Sequence, residues 1–442
     1  MNILRDAGVS RVLRACRRAG LCGILALGAA AAQAASTDIE VWHTLTAAHK
    51  EEFEKLVKQF NREQDEVRVA LKAYPNQQAL RDDAARALAA KRGPNLVQIA
   101  DNHSPEVIAE HRAILPMYEL LKAYPIKDLA WFLPQTSSFT RDAKGRLLAF
   151  PWMAEVPVMF YNLDLYQKAG LDPNAPARTW NDLQGELLQL RDKAGVRCPY
   201  ASSQQVEVHL ENLAPVNNRS YATPGNGLEG GGKAALTFDS LYVRHMSLMV
   251  SWKRSMLFTE STPDDAADAS FAKGDCAVLT AGSGALGRLE GAKSLSFGVA
   301  PLPYYPQVTP KAGRPFISGS ALWALGGHPK EENRATAAFL AFLAKPVVAA
   351  RWHQRTGFLP LTEAAFRAAD VSFYARIPGA QQLVESMRGA PAALNRGFRL
   401  ANYARVEPVL NKEFEAALSG QVPPMQALNQ AADQSRAIMQ QR

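Results

Sequence analysis

The residues best placed to do chemistry sit at two junctions. Asp101-Asn102-His103-Ser104 follows a strand-like run, where a carboxylate and an amide at a strand end make a candidate ligand-binding loop. The same four residues also fit a plain helix start, with Ser104 capping ahead of Pro105 and Glu106. Gly282-Ser283-Gly284 closes another strand-like run, Asp275 to Thr280, before a helix near Ala285. Backbone N–H groups at such a junction suit an anion, and the triplet equally makes an ordinary tight turn. Cys198 and Cys276 are compatible with one disulfide and with two buried thiols. Isolated cysteines and scattered histidines lack metal-ligand spacing, so neither a metal nor a cofactor is expected. Phosphate-loop, nucleophile-elbow and His-Glu-x-x-His motifs do not occur, which leaves binding rather than turnover as the expectation.

These junctions need a framework of strands. Ile39 to His43 alternates like a strand, and Phe53, Leu56, Val57 and Phe60 then fall at helical spacing. Val67 to Ala73, Gln77 to Lys91 and Asn95 to Ala100 continue as strand, helix, strand, the α/β alternation of a mostly parallel sheet. Leu147 to Asn162, broken by Pro151 and Pro157, reads as a crossing between two lobes, and Phe316 to Leu325 as the return. Thr179 caps a helix, Gly225 to Gly232 marks a surface loop, and the remainder is helical, with a late helix near Pro408 to Leu418.

The first 34 residues read as a secretory signal, with Arg5, Arg11, Arg14, Arg17 and Arg18 ahead of an apolar run and Ala32-Gln33-Ala34 at a cleavage site. Leu21 before Cys22 speaks against a lipid anchor. The 442-residue chain has a formal net charge of +8, which falls to +4 without those five arginines and Asp6. No basic patch suited to nucleic acid remains. A mature chain beyond roughly 300 residues exceeds what one core supports, so two lobes are expected.

Several stretches carry a resemblance over nearly the whole mature chain. They include Trp42-His43, Pro157 to Asn162, Thr179-Trp180, Leu210-Glu211-Asn212, Gly274 to Ala277 and Ala321-Leu322-Trp323. Phe342 to Pro346, Trp352-His353-Gln354, Thr356-Gly357 and Arg396 to Leu400 extend the set. Together they resemble the periplasmic glycerol-3-phosphate-binding proteins of ABC importers, within the maltose-binding-like family of extracellular solute-binding proteins. The resemblance implies an α/β, two-lobe periplasmic-binding-protein fold of class II, with a ligand cleft between lobes and hinge crossovers. It implies a monomer in the periplasm that hands its ligand to ABC permease subunits of the inner membrane, served by a cytoplasmic ATPase. Lobe 1 is expected at 35–150 and 315–355, and lobe 2 at 151–314 and 356–442.

By the same resemblance the ligand contacts fall at Gln77, Asp101, Glu155, Gly282, Ser283, Gly319, Phe358 and Arg399, with Trp42 and Trp152 as a candidate aromatic face. Gly319 and Arg399 match the family, and Arg399 is the expected phosphate clamp. Gln77 and Phe358 stand where the family has tyrosine, Asp101 where it has Glu, and Glu155 and Gly282 where it has serine; Glu207 replaces an expected aromatic. Lost hydroxyls and added carboxylates leave three ligands open: glycerol-3-phosphate, a glycerophosphodiester with a cationic head, and a neutral sugar or polyol.

Overall fold

The computed structural model describes residues 36–104, 113–127, 129–133, 140–142, 144–228, 234–292 and 294–441, so the signal segment and the helix expected after Ser104 lie outside the described residues. The chain opens with β1 (Thr37–His43), α1 (Ala47–Glu63), β2 (Val67–Ala73), α2 (Gln77–Ala89) and β3 (Leu96–Ala100). In α1 the expected apolar stripe of Phe53, Leu56, Val57 and Phe60 is buried against the sheet. Asn76 caps α2 by accepting the Ala79 N–H at 2.8 Å.

The chain continues with β4 (Phe150–Glu155), β5 (Pro157–Asn162), α3 (Trp180–Asp192) and β6 (Cys198–Ser202). A two-stranded pair, β7 (Ala222–Thr223) and β8 (Ala235–Leu236), precedes α4 (Ser240–Arg254), β9 (Phe258–Ser261), β10 (Cys276–Gly282), β11 (Phe297–Pro301) and β12 (Ser318–Ala324). The longer helices of the remainder are α5 (Lys330–Leu343), α6 (Pro346–Thr356), α7 (Tyr403–Leu418) and α8 (Pro424–Met439). The late helix thus starts five residues before Pro408, which sits inside α7.

Two five-stranded sheets result, ordered β2-β1-β3-β12-β4 and β11-β5-β10-β6-β9. The first pairs β1 with β2 and β3 in parallel, and β12 lies antiparallel between β3 and the edge strand β4. Val156 alone separates β4 in one sheet from β5 in the other, because Pro157 has no N–H with which to continue the first ladder. The chain returns between β11 and β12. Two lobes with crossing strands are therefore what the hydrophobic pattern requires. Phe53, Trp352 and Phe339 pack in one core cluster and Trp180, Trp252 and Tyr200 in another, while a third, holding Trp323 and Phe160, includes strand residues of both sheets.

Cys198 and Cys276 are register partners on parallel β6 and β10 and form a disulfide, with Cα atoms 4.5 Å apart. In the described part of the expected surface loop, Gly225 to Leu228, Gly225 is exposed and only Asn226 is buried. The buried Asn226 side chain accepts the Tyr221 and Ala222 N–H groups, and the Asn226 backbone carbonyl accepts the Arg399 backbone N–H at 2.8 Å. Among the described residues no single helix is long and apolar enough to cross a membrane.

Candidate functional site

A cleft of about 430 Å³ opens where strand ends of both sheets meet. From the first sheet come Gln98, Glu155 and Gly319, and from the turns and helices that follow its strands Thr44, His49, Gln77 and Asp101. Gln77, at the start of α2, donates to the Thr44 hydroxyl at 2.7 Å, and its carbonyl oxygen accepts the Ala100 N–H at 3.1 Å. Asp101 begins a 3-10 turn and turns one oxygen back to its neighbour's N–H, at 2.8 Å from Asn102. The Ser104 hydroxyl donates to the Ala100 carbonyl at 3.0 Å, and the N–H groups it would cap lie outside the described residues.

From the second lobe come Gln204, Glu207, Glu211, Gly284, Arg288, Tyr403 and Glu407. Glu207 and Glu211 occupy one turn of π-helix, closed by Asn212 N–H to Glu207 carbonyl at 3.0 Å; such a turn is a frequent mark of functional positions. Asn102 reaches across the cleft and donates to Glu407, Tyr403 donates to Glu211, and Ser318 donates to Glu207.

Five buried or half-buried carboxyls, Asp101, Glu155, Glu207, Glu211 and Glu407, thus face one space, with the exposed Asp264 and Asp265 on the same lining. Burial raises each of the five, and repulsion from others of the set adds to it for Asp101, Glu207 and Glu211. Asp101 is pushed up to about 8, by burial first and then by Glu407. Glu207 and Glu211 lie well above the usual carboxylate range for the same reasons. Glu155 is raised by burial, against the pull of the Gly284 N–H and Arg288. Arg288 is itself committed, to Asp268 (2.9 Å from Nε) and to Asp265 (3.1 Å from Nη1).

The loop after β10 does not present free donors. Gly282 N–H goes to the Gln204 side-chain oxygen Oε1 at 2.9 Å, Ser283 N–H to the Val156 backbone carbonyl at 2.8 Å, and Gly284 N–H to Glu155 Oε2 at 2.9 Å. Ser283 itself is buried, its hydroxyl donating to the Gly357 carbonyl at 2.8 Å. His49 covers the loop, donating through Nε2 to the Gly284 carbonyl at 2.9 Å; burial and Arg288 hold its pKa down at about 4, so the ring is neutral.

Of the expected contacts, Gln77, Asp101, Glu155, Gly319 and Phe358 line the cleft together. Gly319 needs its positive φ of 98°, and a Cβ there would lie 2.2 Å from the Met153 carbonyl oxygen. Phe358 meets the His49 ring at 4.7 Å and backs onto Trp352, which stacks on Trp152 at 5.1 Å. Trp152 therefore supports the aromatic wall from behind. Trp42 stands apart, with Lys72 over its face and its N–H on Glu40. Gly282 and Ser283 sit just behind the lining, and Arg399 is outside it, its Nη2 on the Arg141 carbonyl at 2.6 Å. Sequence reasoning misses His49, Gln98, Arg288 and Glu407. For Arg288 a signal existed, since it lies four residues beyond Gly284.

Comparison with known proteins places this arrangement. The description of bacterial extracellular solute-binding proteins matches residues 55–379. The sn-glycerol-3-phosphate-binding periplasmic protein UgpB of Pectobacterium atrosepticum is 33% identical, covering 97% of each chain. Its Escherichia coli K12 counterpart is 32% identical over 94% of this chain and 96% of its own. Among solved structures, UgpB of Mycobacterium tuberculosis with glycerophosphocholine superimposes with a TM-score of 0.71 at 18% identity, covering 91% of this chain and 98% of that one. Maltose-bound MalE3 of T. maritima gives 0.71 at 19% identity, covering 91% and 100%. These two likenesses show the shared fold.

Proposed function

The chain belongs to the bacterial extracellular solute-binding proteins, and from that premise we propose that it is the periplasmic solute-binding component of an ABC importer, capturing a glycerophosphodiester with a cationic head group. It passes the ligand to permease subunits served by a cytoplasmic ATPase, acts as a monomer and turns nothing over. Lobe 1 is taken as 35–150 with 315–355, and lobe 2 as 151–314 with 356–442. Residues 1–34 are taken as the export signal.

One observation carries the ligand class. Five carboxyls from both lobes converge on a cleft whose lining arginine is already paired with two aspartates. A bare dianion entering that space adds to the repulsion that holds protons on these carboxyls, whereas an ammonium or choline group relieves it. Glycerol hydroxyls can be accepted by Asp101 and by Gln77. Contacts from both lobes favour the closed state, which is what closure on a ligand requires.

A neutral polyol is the second reading, favoured by the raised pKa of Asp101 and Glu211, since protonated carboxyls exchange hydrogen bonds with hydroxyls and need no cation. Titration calorimetry with glycerophosphocholine, sn-glycerol-3-phosphate and maltose separates the readings. Glycerophosphocholine should bind at least about tenfold tighter than glycerol-3-phosphate. Tight maltose binding with neither phosphate compound bound would sink the proposal.

A further inference from the structure

The loop that ends β10 turns a backbone N–H of Gly284 toward the cleft, and the atom it meets belongs to the protein. Glu155 Oε2 accepts that N–H at 2.9 Å from the end of β4, 129 residues away in sequence. The surroundings are shaped around this carboxylate. A Cβ on Gly282 would lie 2.5 Å from Glu155 Oε2, one on Gly284 2.7 Å from the same oxygen, and one on Gly319 3.2 Å from Glu155 Cγ. A side chain at 282 or 284 would make the carboxylate move, so the two glycines leave the room in which Glu155 sits.

Charge follows the same plan. The guanidinium that acts on Glu155 is Arg288, and Asp265 and Asp268 already hold it. Phe358 and His49 close the remaining side, within 3.4 Å of the position a Gly284 Cβ would take.

We infer that Glu155 is a built-in anion that occupies the cleft's anion-accepting loop and thereby sets specificity, shutting out small phosphate dianions and leaving a negative wall for a cationic or hydroxyl-bearing solute. The inference rests on the solute-binding reading above and goes beyond it by naming the residue that selects. Two effects act in the same direction: the N–H is satisfied by the carboxylate, and the carboxylate's charge repels a second anion. Glu155 would act as a specificity residue that touches the ligand.

The test separates plug from charge. Inorganic phosphate and sn-glycerol-3-phosphate are titrated calorimetrically into the intact protein and into Glu155→Ala and Glu155→Gln. Glu155→Ala frees the Gly284 N–H and should tighten both anions by at least about tenfold. In Glu155→Gln the amide oxygen still accepts that N–H, so the gain should be several-fold smaller, and thermal unfolding of both variants checks that the fold is kept. Unchanged anion affinity in Glu155→Ala overturns the inference, and so does an equal gain in the two variants. Glycerophosphocholine binding to the unmodified protein is read separately: its absence strikes the ligand reading and leaves the Glu155 inference to the phosphate titrations.

Discussion

Replacing Asp101 by Asn should stabilise the protein at neutral pH and should cease to do so near pH 4. The carboxyl faces Glu155 on β4, Glu207 and Glu211 on the π-helical turn, and Tyr403 and Glu407 on α7, with Arg288 the cation lining the same cleft. Burial, followed by Glu407, moves it from 3.8 to about 8. Between those values the folded chain keeps a proton that the unfolded chain has released. Stability is therefore lost as pH rises through that window, at about 1.4 kcal/mol per pH unit for one fully differing proton. The whole shift would cost about 4 kcal/mol at pH 7. Asp101 is only half-buried in an open cleft, so water screens the charge and about 2 kcal/mol is the expected effect.

Asparagine at this position does not titrate and keeps an oxygen for the Asn102 N–H. Urea unfolding of both proteins between pH 4 and pH 8 measures the difference. The stability gap should be near zero at the acid end and open to about 2 kcal/mol in favour of the variant by pH 8. A gap that stays constant with pH, or one of opposite sign at neutral pH, would refute the account of Asp101.

Two further perturbations probe the framework. The Cys198–Cys276 bridge closes a 78-residue separation, so Cys198→Ser with Cys276→Ser should cost about 4 to 5 kcal/mol in guanidinium unfolding on the loop-entropy estimate, and a loss under about 1 kcal/mol would contradict it. Arg399→Ala removes a donor to the Arg141 carbonyl from outside the cleft lining, so it should lower the unfolding midpoint while shifting ligand affinity by less than about threefold; a hundredfold loss by calorimetry would return Arg399 to the ligand.

Much of the fold is legible because short-range rules govern it. Strand and helix alternate from Thr37 to Ala100 with apolar residues at the right periods, and Thr179 and Asn162 cap helices by accepting N–H groups three residues on. Pro157 marks the crossing for a local reason too, the missing N–H. The bond between Cys198 and Cys276 is a different matter. Two strand-like stretches do not say that they are neighbours, and only the parallel pairing of β6 with β10 puts those positions opposite each other. The early start of α7 is likewise hidden, since Pro408 signals a helix beginning and in fact lies inside one.

The site is less legible because its contacts join distant parts of the chain. Asn102 meets Glu407 across 305 residues and His49 meets Gly284 across 235, and no local pattern records either. The same holds for the two positions that depart from the family's serines. As isolated substitutions, a glycine at 282 removes a hydroxyl and a glutamate at 155 adds a charge, and neither explains the other. With the Gly282 Cβ position 2.5 Å from Glu155 Oε2, they become one change: a carboxylate enters the loop only because the opposing side chain has been removed. A loop expected to welcome an anion is thus filled by one from the chain itself, and that reversal decides which solutes the cleft can close upon.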